Sequence, residues 1–299
     1  MIRKFDELLA AARSLPPRRV AVAAAHDDAV LAAVRDAREQ GIAEFVLVGD
    51  QARLSSLAGT VGVNLADVEV IHEPDVRQAA RRAAAMVGSG QADMLMKGLI
   101  GTGDFLRALL DKEAGLRTGS LLSHVFVLEL AGWDRLLFLT DAAMNVSPSL
   151  ADKAVIIGNA VALAGSLGVD PVRVAVLAAV ETVEDGMPAT LEAAALAKMA
   201  ERGQIKGAIV DGPLALDNAI SEEAARHKGI VSPVAGRADV LVVPDIEAGN
   251  MLGKSMVYFA RARIAGLLMG AAKPVVVTSR ADSAESKMLS IALGVVSAK

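Results

Sequence analysis

The stretch RADVLVVPDIEAGNMLGKSMVY (Arg237–Tyr258) decides the fold class, because it joins a buried strand directly to a helix. Its ADVLVV portion is a short valine-rich run, typical of a strand covered on both faces. Asp245 follows that strand, and we predict one long helix over residues 249–270. Asn250 and Lys254 lie four residues apart and share one face of this helix. The stretch therefore predicts a carboxylate, an amide and an ammonium at the carboxyl end of a parallel strand, where open α/β sheets bind ligands. On spacing alone, a helix-capping Asn and a solvated Lys are equally compatible with the pattern.

The rest of the chain alternates short apolar runs with helical segments, which predicts parallel sheets covered by helices on both faces. The composition does not change sharply anywhere, so topology alone favours a domain boundary near residue 141. The nine expected strands are Arg19–His26, Glu44–Asp50, Val68–His72, Ala92–Gly98, Arg135–Asn145, Arg173–Ala179, Gly207–Pro213, Ala238–Val243 and Pro274–Arg280.

The composition of the 299-residue chain narrows the fold and the partners. The chain is 53% hydrophobic but only 3% aromatic, so small aliphatic side chains must fill the core. A formal net charge of −4 gives no bias towards polyanions, and we expect no nucleic-acid partner. The absence of cysteine excludes disulfides, thiolate metal sites and a covalent thioester on the protein, and it is compatible with a reducing compartment.

Two features argue against a membrane segment and a signal peptide. The apolar run Ala154–Val169 contains Asn159 and Ser166, and it falls short of the roughly 20 residues that a spanning helix needs. Near the start of the chain, Asp6 and Glu7 stand where a signal peptide would be apolar. We therefore expect a soluble, cytoplasmic protein with no membrane partner.

Polar side chains collect at the ends of the predicted strands, and in a doubly wound sheet such ends meet at one crevice. The forked guanidinium of Arg280 suits a phosphate or a developing oxyanion. A structural ion pair with Asp282 or Glu285 is the alternative, since acidic residues are common in the first turn of a helix. The strand-end residues are Lys97, Thr140, Asp141, Asp211, Asp245, Ser279 and Arg280.

A glycine-rich turn follows Lys97 and contains Gly98, Gly101 and Gly103. Where such a turn opens a helix, its free backbone amides favour a phosphate group. The spacing matches neither the Walker lysine loop nor the dinucleotide fingerprint, so a flexible strand-to-helix turn is the competing interpretation. No histidine or acidic cluster has metal-ligand spacing, and no GxSxG elbow is present.

Four segments carry a resemblance to the phosphate acetyltransferase and phosphate butyryltransferase family. TDAAMNVSP (Thr140–Pro148) is similar to a pattern shared by both branches. The other three look closest to the butyryltransferase branch: DGPLALDNAIS (Asp211–Ser221), SPVAGRADVLVVPDIEAGNMLGKSMVYFA (Ser232–Ala260) and KPVVVTSRADSAESK (Lys273–Lys287). Where the acetyltransferases have a serine-rich segment, this chain has VETVEDGMPATLEA (Val180–Ala193), which also favours the butyryl type.

The resemblance implies an α/β fold of two α/β/α domains with mainly parallel sheets and an interdomain cleft, like isocitrate and isopropylmalate dehydrogenases. Residues 1–141 plus 269–299 would form the first domain, and residues 142–268 the second. It also implies a homodimer that transfers a short-chain acyl group, here butyryl, reversibly between coenzyme A and inorganic phosphate. The family's proposed mechanism is direct attack of the coenzyme A thiolate on an acyl phosphate in a ternary complex. Coenzyme A would be a substrate, and no resident cofactor is expected.

For the site, the resemblance implies that Ser279 and Arg280 are the catalytic Ser-Arg pair. The acetyltransferases carry a catalytic Asp shortly after this pair, but here that position is Ser286, so Glu285 is the expected base and Asp282 an alternative. Positive charge from Arg280, Lys254, Lys97 or Arg117 would offset the anionic substrates. The full set of expected substrate-binding residues is Lys97, Thr102, Arg117, Asp141, Asn145, Asp211, Asp245, Asn250, Lys254 and Asp282.

Three other functions are compatible with parts of this pattern. A phosphate acetyltransferase would use acetyl-CoA on the same machinery. A hydroxy-acid dehydrogenase of the isocitrate or isopropylmalate type would need a divalent metal held by clustered aspartates, and the sequence has no such cluster. A non-catalytic coenzyme A or phosphate sensor could share the fold, but the intact Ser279–Arg280 pair argues against it.

Overall fold

The computed structural model describes residues 1–298, and the chain divides into two compact units. The N-terminal unit consists of Phe5–Ser120 and the segment from Ala265 onward. The central unit consists of Leu121–Ile264 together with Met1–Lys4. In chain order, the helices and strands are α1 Phe5–Arg13, β1 Arg18–Ala23, α2 Asp28–Glu39, β2 Ala43–Gly49, α3 Gln51–Val61, β3 Glu69–His72, α4 Val76–Gly88, β4 Met94–Lys97, α5 Thr102–Leu109, β5 Ser123–Glu129, β6 Leu137–Thr140, α6 Leu150–Ser166, β7 Val172–Leu177, α7 Pro188–Glu201, β8 Ala208–Leu214, α8 Leu216–Ile220, α9 Glu222–His227, β9 Val240–Val242, α10 Ile246–Tyr258, β10 Arg263–Met269, β11 Val275–Val276 and α11 Ala284–Ser297.

The division into units differs from the boundaries placed from the sequence. The sequence puts them after residues 141 and 268, whereas the units divide after Ser120 and Ile264. The reason is that β5 and β6 pair antiparallel with each other, with Phe126 opposite Leu139. This pairing keeps residues 121–141 within the central unit.

The N-terminal unit is built on a mainly parallel sheet in the order β3-β2-β1-β4-β11-β10. Every pair is parallel except β10 with β11. Val20 lies opposite Met94, and Val276 lies opposite Met96, so β1, β4 and β11 end close together. Helix α11 packs against α1 and α2, and its run of buried residues completes this unit's core.

Aspartates begin several helices of the N-terminal unit, directly after strands. Asp27, Asp50 and Asp75 cap α2, α3 and α4, and each side chain accepts a hydrogen bond from a backbone amide of the first turn. Such a cap stabilises a helix by about 1 kcal/mol. The caps fix the exit direction of the chain at the strand ends, where the candidate site lies.

Two elements were wrong or missing in the sequence prediction. The long helix predicted over residues 249–270 ends at Tyr258, and residues 263–269 form β10 instead. The chain turns at Arg261, whose φ of 55° lies in the left-handed region. After its first residue, Arg263, the run RIAGLLM is short and apolar throughout, so its periodicity does not distinguish a strand from a helix. The pairing of Leu268 with Val275 shows that it is a strand. Strand β5 was not predicted at all.

The central unit has the strand order β5-β6-β9-β7-β8. Strands β6, β9, β7 and β8 are parallel, and Val242 lies opposite both Thr140 and Val176. Leu139, Leu241 and Ala175 are among the side chains that form its buried core. The predicted class, α/β with mainly parallel strands, is therefore confirmed. Within residues 1–298, no helix is both long and apolar enough to cross a bilayer.

Candidate functional site

Lys97 is the last residue of β4, and its ammonium is almost wholly buried, with 4% of the residue exposed. The Nζ atom donates only to backbone carbonyls, those of Gly98 and Thr278, both at 3.4 Å. Burial lowers the pKa of Lys97, and the charges of Arg280 and Lys287 lower it further. Asp282 partly opposes this effect, as does Asp27. A concentration of positive charge therefore lies at the carboxyl end of β4.

The predicted Ser-Arg pair lies on a tight turn after β11, which we call the Ser279–Asp282 turn. The Ser279 amide donates to Asp282 Oδ2 at 2.7 Å, and the Asp282 amide donates to the Ser279 carbonyl at 3.2 Å. The Ala281 amide donates to Ser279 Oγ at 3.3 Å. Arg280 at the tip of the turn is exposed. The strand predicted over Pro274–Arg280 is shorter than expected, because β11 already ends at Val276, and Arg280 lies beyond it.

Glu285 and Ser286 occupy the positions where the sequence left the general base open. Both lie in the first turn of α11, whose N-cap is Ser283. Ser286 is hydrogen-bonded to Ser283 through both its amide, at 3.1 Å, and its hydroxyl, at 3.0 Å. Asp282 already accepts the Ser279 amide, which suits a structural role more than proton transfer. Glu285 is exposed and remains the predicted base.

Lys287 is a site residue that the sequence reasoning missed. It lies on α11 with 2% of its surface exposed, and its Nζ donates to the carbonyls of Ser279 at 3.1 Å and Asp282 at 2.6 Å. Burial lowers its pKa, and Asp282 opposes that shift. A sequence signal did exist, because Lys287 stands on the apolar face of α11, four residues before Ile291 and eight before Val295.

Two buried polar atoms near this strand end have no hydrogen-bond partner among residues 1–298, namely His26 Nδ1 and Thr278 Oγ1. Burial lowers the pKa of His26, and Arg53 adds to that effect. His26 follows β1 and Thr278 follows β11, which lie on either side of β4. Buried polar groups are nearly always bonded to protein or water. Thr278 is also the residue whose carbonyl Lys97 contacts, whereas His26 Nδ1 lies against Gly49 at the end of β2.

The glycine-rich turn begins α5, and Gly101 is its N-cap without a side chain to accept the first amides. Thr102 is the first helical residue and is exposed. The structure therefore leaves a helix start open, which is compatible with the predicted phosphate contact. Arg117 is also exposed, and it forms an isolated antiparallel bridge with Ala271.

In the central unit, the predicted Asp141 and Asn145 form one hydrogen-bonded loop after β6. Asp141 is 3% exposed, and its Oδ1 accepts the amides of Ala143 and Met144, both at 3.0 Å. Asn145 Nδ2 donates to Asp141 Oδ2 at 2.6 Å and to the Leu122 carbonyl at 2.9 Å. The Asp141 carboxylate and the Asn145 amide nitrogen therefore shape the loop together.

Helix α10 places Asn250 against the same loop. Asn250 Nδ2 donates to the Ala142 carbonyl at 3.2 Å. A Cβ on the neighbouring Gly249 would lie 2.8 Å from the Asp141 carbonyl oxygen, so only glycine allows this close approach. Asp245 is the N-cap of α10 and accepts the Ala248 amide at 2.8 Å. The cap is therefore Asp245 and not the Asn that the alternative interpretation proposed.

Lys254 and Asp211 lie outside the hydrogen-bonded loop formed by Asp141 and Asn145. Lys254 lies on α10, one turn beyond Asn250, and is exposed. Asp211 was expected at a strand tip, but it lies in the middle of β8, opposite Ala175. The strand continues through Pro213 to Leu214, and Asp211 Oδ1 accepts the adjacent Gly212 amide at 2.8 Å. The hydrogen bond of the Asp211 side chain is therefore local, and its strand lies at the edge of the sheet.

A second polar cluster in the central unit was missed by the sequence reasoning. Glu181 Oε2 accepts from Asn218 Nδ2 at 3.1 Å and from Lys228 Nζ at 3.0 Å. Lys228 also bonds to Asp217, and these interactions raise its pKa, the Glu181 hydrogen bond contributing most. Asn218 is fully buried. The cluster joins the loop after β7 to α8 and α9. Across residues 1–298, no group of three or more His, Asp or Glu side chains could hold a metal ion.

Comparison of the fold and the sequence with known proteins identifies one class, the phosphate acyltransferases. The fold matches the solved structure of a branched-chain phosphotransacylase from Enterococcus faecalis V583, with a TM-score of 0.83 and 34% identity over 94% of this chain and 99% of that one. A family model described as "Phosphate acetyl/butaryl transferase" matches residues 4–82 and 72–295. The chain belongs to this family, as the resemblance predicted.

Two named relatives show how both branches compare with the chain. It is 52% identical to phosphate butyryltransferase of Clostridium beijerinckii over 293 residues, which cover 98% of this chain and 97% of the relative. It is 45% identical to phosphate acetyltransferase of Rhizobium meliloti over 290 residues, which cover 97% and 92%. The higher identity lies on the butyryl side.

Proposed function

We propose that the protein catalyses reversible transfer of a short-chain acyl group between coenzyme A and inorganic phosphate, with butyryl as the preferred group. One structural observation carries the proposal: an exposed Arg280 stands on a tight turn beside two buried ammonium groups, Lys97 and Lys287. Each of the substrates is anionic, and a cationic site of this kind offsets their charge. Family membership and the relatives named above support the same reaction.

In the direction that forms acyl-CoA, the thiolate sulfur of coenzyme A attacks the carbonyl carbon of the acyl phosphate. The C–S bond forms, the bond from carbon to the phosphate oxygen breaks, and inorganic phosphate leaves. Arg280 donates to the phosphate or to the developing oxyanion, and Ser279 lies beside it on the same turn. Glu285 takes the thiol proton. The donors contribute a few kcal/mol of barrier lowering where they meet charge that develops in the transition state. Reversal of the same steps produces the acyl phosphate.

We assign substrate-binding roles to residues of both units. Lys97, Thr102 and Asp282 border the phosphate, and Arg117 contributes charge from the N-terminal unit. In the central unit, exposed Lys254 supplies positive charge for coenzyme A. The other central residues, Asp141, Asn145, Asp211, Asp245 and Asn250, bind or shape the binding loops. Coenzyme A acts as a substrate, and the reaction needs no resident cofactor or metal.

The test of the function is phosphate-dependent release of coenzyme A, measured with a thiol reagent across acetyl-, propionyl-, butyryl- and valeryl-CoA. We expect the highest kcat/KM with butyryl-CoA and weaker turnover of acetyl-CoA. Release without added phosphate serves as the control for hydrolysis. Equal or better turnover of acetyl-CoA would assign the chain to the acetyl branch, and no release with any of the four would refute the function.

The proposal includes a cytoplasmic homodimer. Helix α10 and the residue after it leave apolar side chains uncovered, with Met251 66%, Tyr258 60% and Phe259 88% exposed. Exposed apolar groups of this size within about two turns of one helix are typical of a surface that a partner covers. We expect light scattering at micromolar concentration to give twice the 30.8 kDa chain mass. A monomeric mass would contradict the dimer and leave the reaction untouched.

A further inference from the structure

We propose that Lys287 is a positioning residue for the acyl transfer: it fixes the Ser279–Asp282 turn to α11 and so fixes the place of Arg280. The inference rests on the proposed function of that turn. Lys287 Nζ donates to the first carbonyl of the turn, that of Ser279, at 3.1 Å and to the last, that of Asp282, at 2.6 Å. One ammonium therefore spans the turn from end to end.

The turn's other hydrogen bonds close it on itself. The Ser279 amide bonds to the Asp282 carboxylate, and the Asp282 amide bonds to the Ser279 carbonyl. Neither bond attaches the turn to the rest of the unit. Lys97, on β4, reaches only the preceding carbonyl, that of Thr278, at a longer 3.4 Å. Of the two lysines, Lys287 therefore gives the shorter hydrogen bonds and the only ones to residues of the turn itself.

The scaffold that carries Lys287 is rigid. Helix α11 packs against α1 and α2, and Leu289 and Leu293 are fully buried. Ser290 adds a buried bridge, because its Oγ accepts the Gly266 amide at 3.0 Å and donates to the Ser286 carbonyl at 2.7 Å. An anchor in such a helix limits the motion of whatever it holds.

A lysine is an expensive choice at this position unless its donors are needed. Burying an ammonium away from water carries a large desolvation cost. Lys287 donates its hydrogen bonds to two carbonyls, and the charges of Asp282 and Asp27 offset part of that cost. A Met or Leu would fill the apolar face of α11 at lower cost. The two carbonyls it holds account for the lysine, since they belong to the turn that presents Arg280.

The first test is Lys287→Met, which keeps the length of the side chain and removes its donors. We expect kcat with butyryl-CoA and phosphate to fall about 10- to 100-fold, because a small displacement of a catalytic group costs rates of this order. The KM for butyryl-CoA should change less than about threefold, since the variant disturbs the turn and leaves the coenzyme A contacts in place. Activity of the wild-type protein in the same assay separates failure of this inference from failure of the proposed function.

The matched control is Ser290→Ala, which removes a buried hydrogen-bonding group one turn later on the same helix without touching the Ser279–Asp282 turn. We expect a lower Tm for this control, because the loss of the Ser290 hydroxyl leaves a buried hydrogen bond unmade. Its kcat should stay within about twofold of wild type. If Ser290→Ala loses as much kcat as Lys287→Met, general loosening of α11 explains both results and the positioning role is refuted.

A double variant distinguishes positioning from an independent contribution. If Lys287 acts through Arg280, then combining Lys287→Met with Arg280→Ala should lower kcat no further than Arg280→Ala alone. Multiplied losses would overturn the proposal. Should Lys287→Met not fold, Lys287→Arg retains cationic donors, and the same non-additivity with Arg280→Ala decides the question.

Discussion

Replacing Arg280 by alanine is expected to lower kcat/KM by about 10²–10³-fold, the loss that follows removal of one oxyanion donor elsewhere. The side chain is exposed at the tip of its turn, so the variant removes charge and donors without opening a cavity. The Tm should therefore stay within a few degrees of wild type. Steady-state kinetics with butyryl-CoA and phosphate, together with thermal unfolding, make the measurement.

Two further variants make the Arg280 result specific. Arg280→Lys should recover only part of the activity, because an ammonium keeps the charge but loses the bidentate fork. Arg82→Ala removes another exposed arginine, from α4, and should leave kcat/KM within about twofold of wild type, as surface substitutions usually do. A large fall in Tm for Arg280→Ala with near-normal kcat/KM would show that Arg280 is a structural ion-pair partner instead.

The sequence predicted the class of fold because its strong signals are local. Valine-rich runs separated by capped helices identify buried parallel strands, and nine of the eleven strands within residues 1–298 were found in this way. Strand β10 was misassigned because RIAGLLM continues the apolar pattern of α10, and long-range pairing such as that with β11 makes it a strand. Long-range pairing of this kind leaves no periodic trace.

Residues of the candidate site were predictable from the sequence where a polar residue ends a strand. They were not predictable where the role of a polar residue depends on its burial in the folded chain. Lys97 was placed correctly at the end of β4. Asp211 was misplaced, because GAIVDGP continues as strand through its proline to Leu214. Lys287 was overlooked because it lies within an apolar helix face. The role proposed for it depends on hydrogen bonds to the carbonyls of Ser279 and Asp282, which precede the helix. Tertiary structure decides which acceptor a lysine bonds to, and the sequence pattern does not show it.

The structure also shows that the two buried lysines at this strand end donate their hydrogen bonds to backbone carbonyls. The positive charges of Lys97 and Lys287 are spread over carbonyls of one segment, Thr278, Ser279 and Asp282. Those carbonyls offset part of the desolvation cost but not the charge itself. Burial is the main cause of the lowered pKa of both lysines, and the charges of Asp27 and Asp282 oppose it. In the proposed function, the anionic substrate supplies further negative charge at this strand end.

Gly98→Ala is expected to have the largest effect on stability among these variants. A Cβ at Gly98 would lie 2.3 Å from the Ala24 carbonyl oxygen and 2.6 Å from that of Ala23. Both oxygens are backbone atoms, and they accept hydrogen bonds from the Leu99 amide at 2.8 Å and the Gly98 amide at 2.9 Å. Neither can move without breaking the junction between β1 and β4.

We expect this overpacking to cost about 3 kcal/mol or more, which corresponds to a fall in Tm of roughly 5 °C or more for a chain of 299 residues. Displacing the end of β4 also displaces Lys97, so the variant should lose activity well below its unfolding temperature. Gly103→Ala is the matched control, because a Cβ there meets no atom within 4 Å and an alanine inside α5 is favoured by about 0.5–1 kcal/mol over glycine. If Gly98→Ala unfolds at the wild-type temperature while Gly103→Ala behaves as stated, the strand end can accommodate a methyl group, and the close approach of β1 and β4 does not hold the lysine in place.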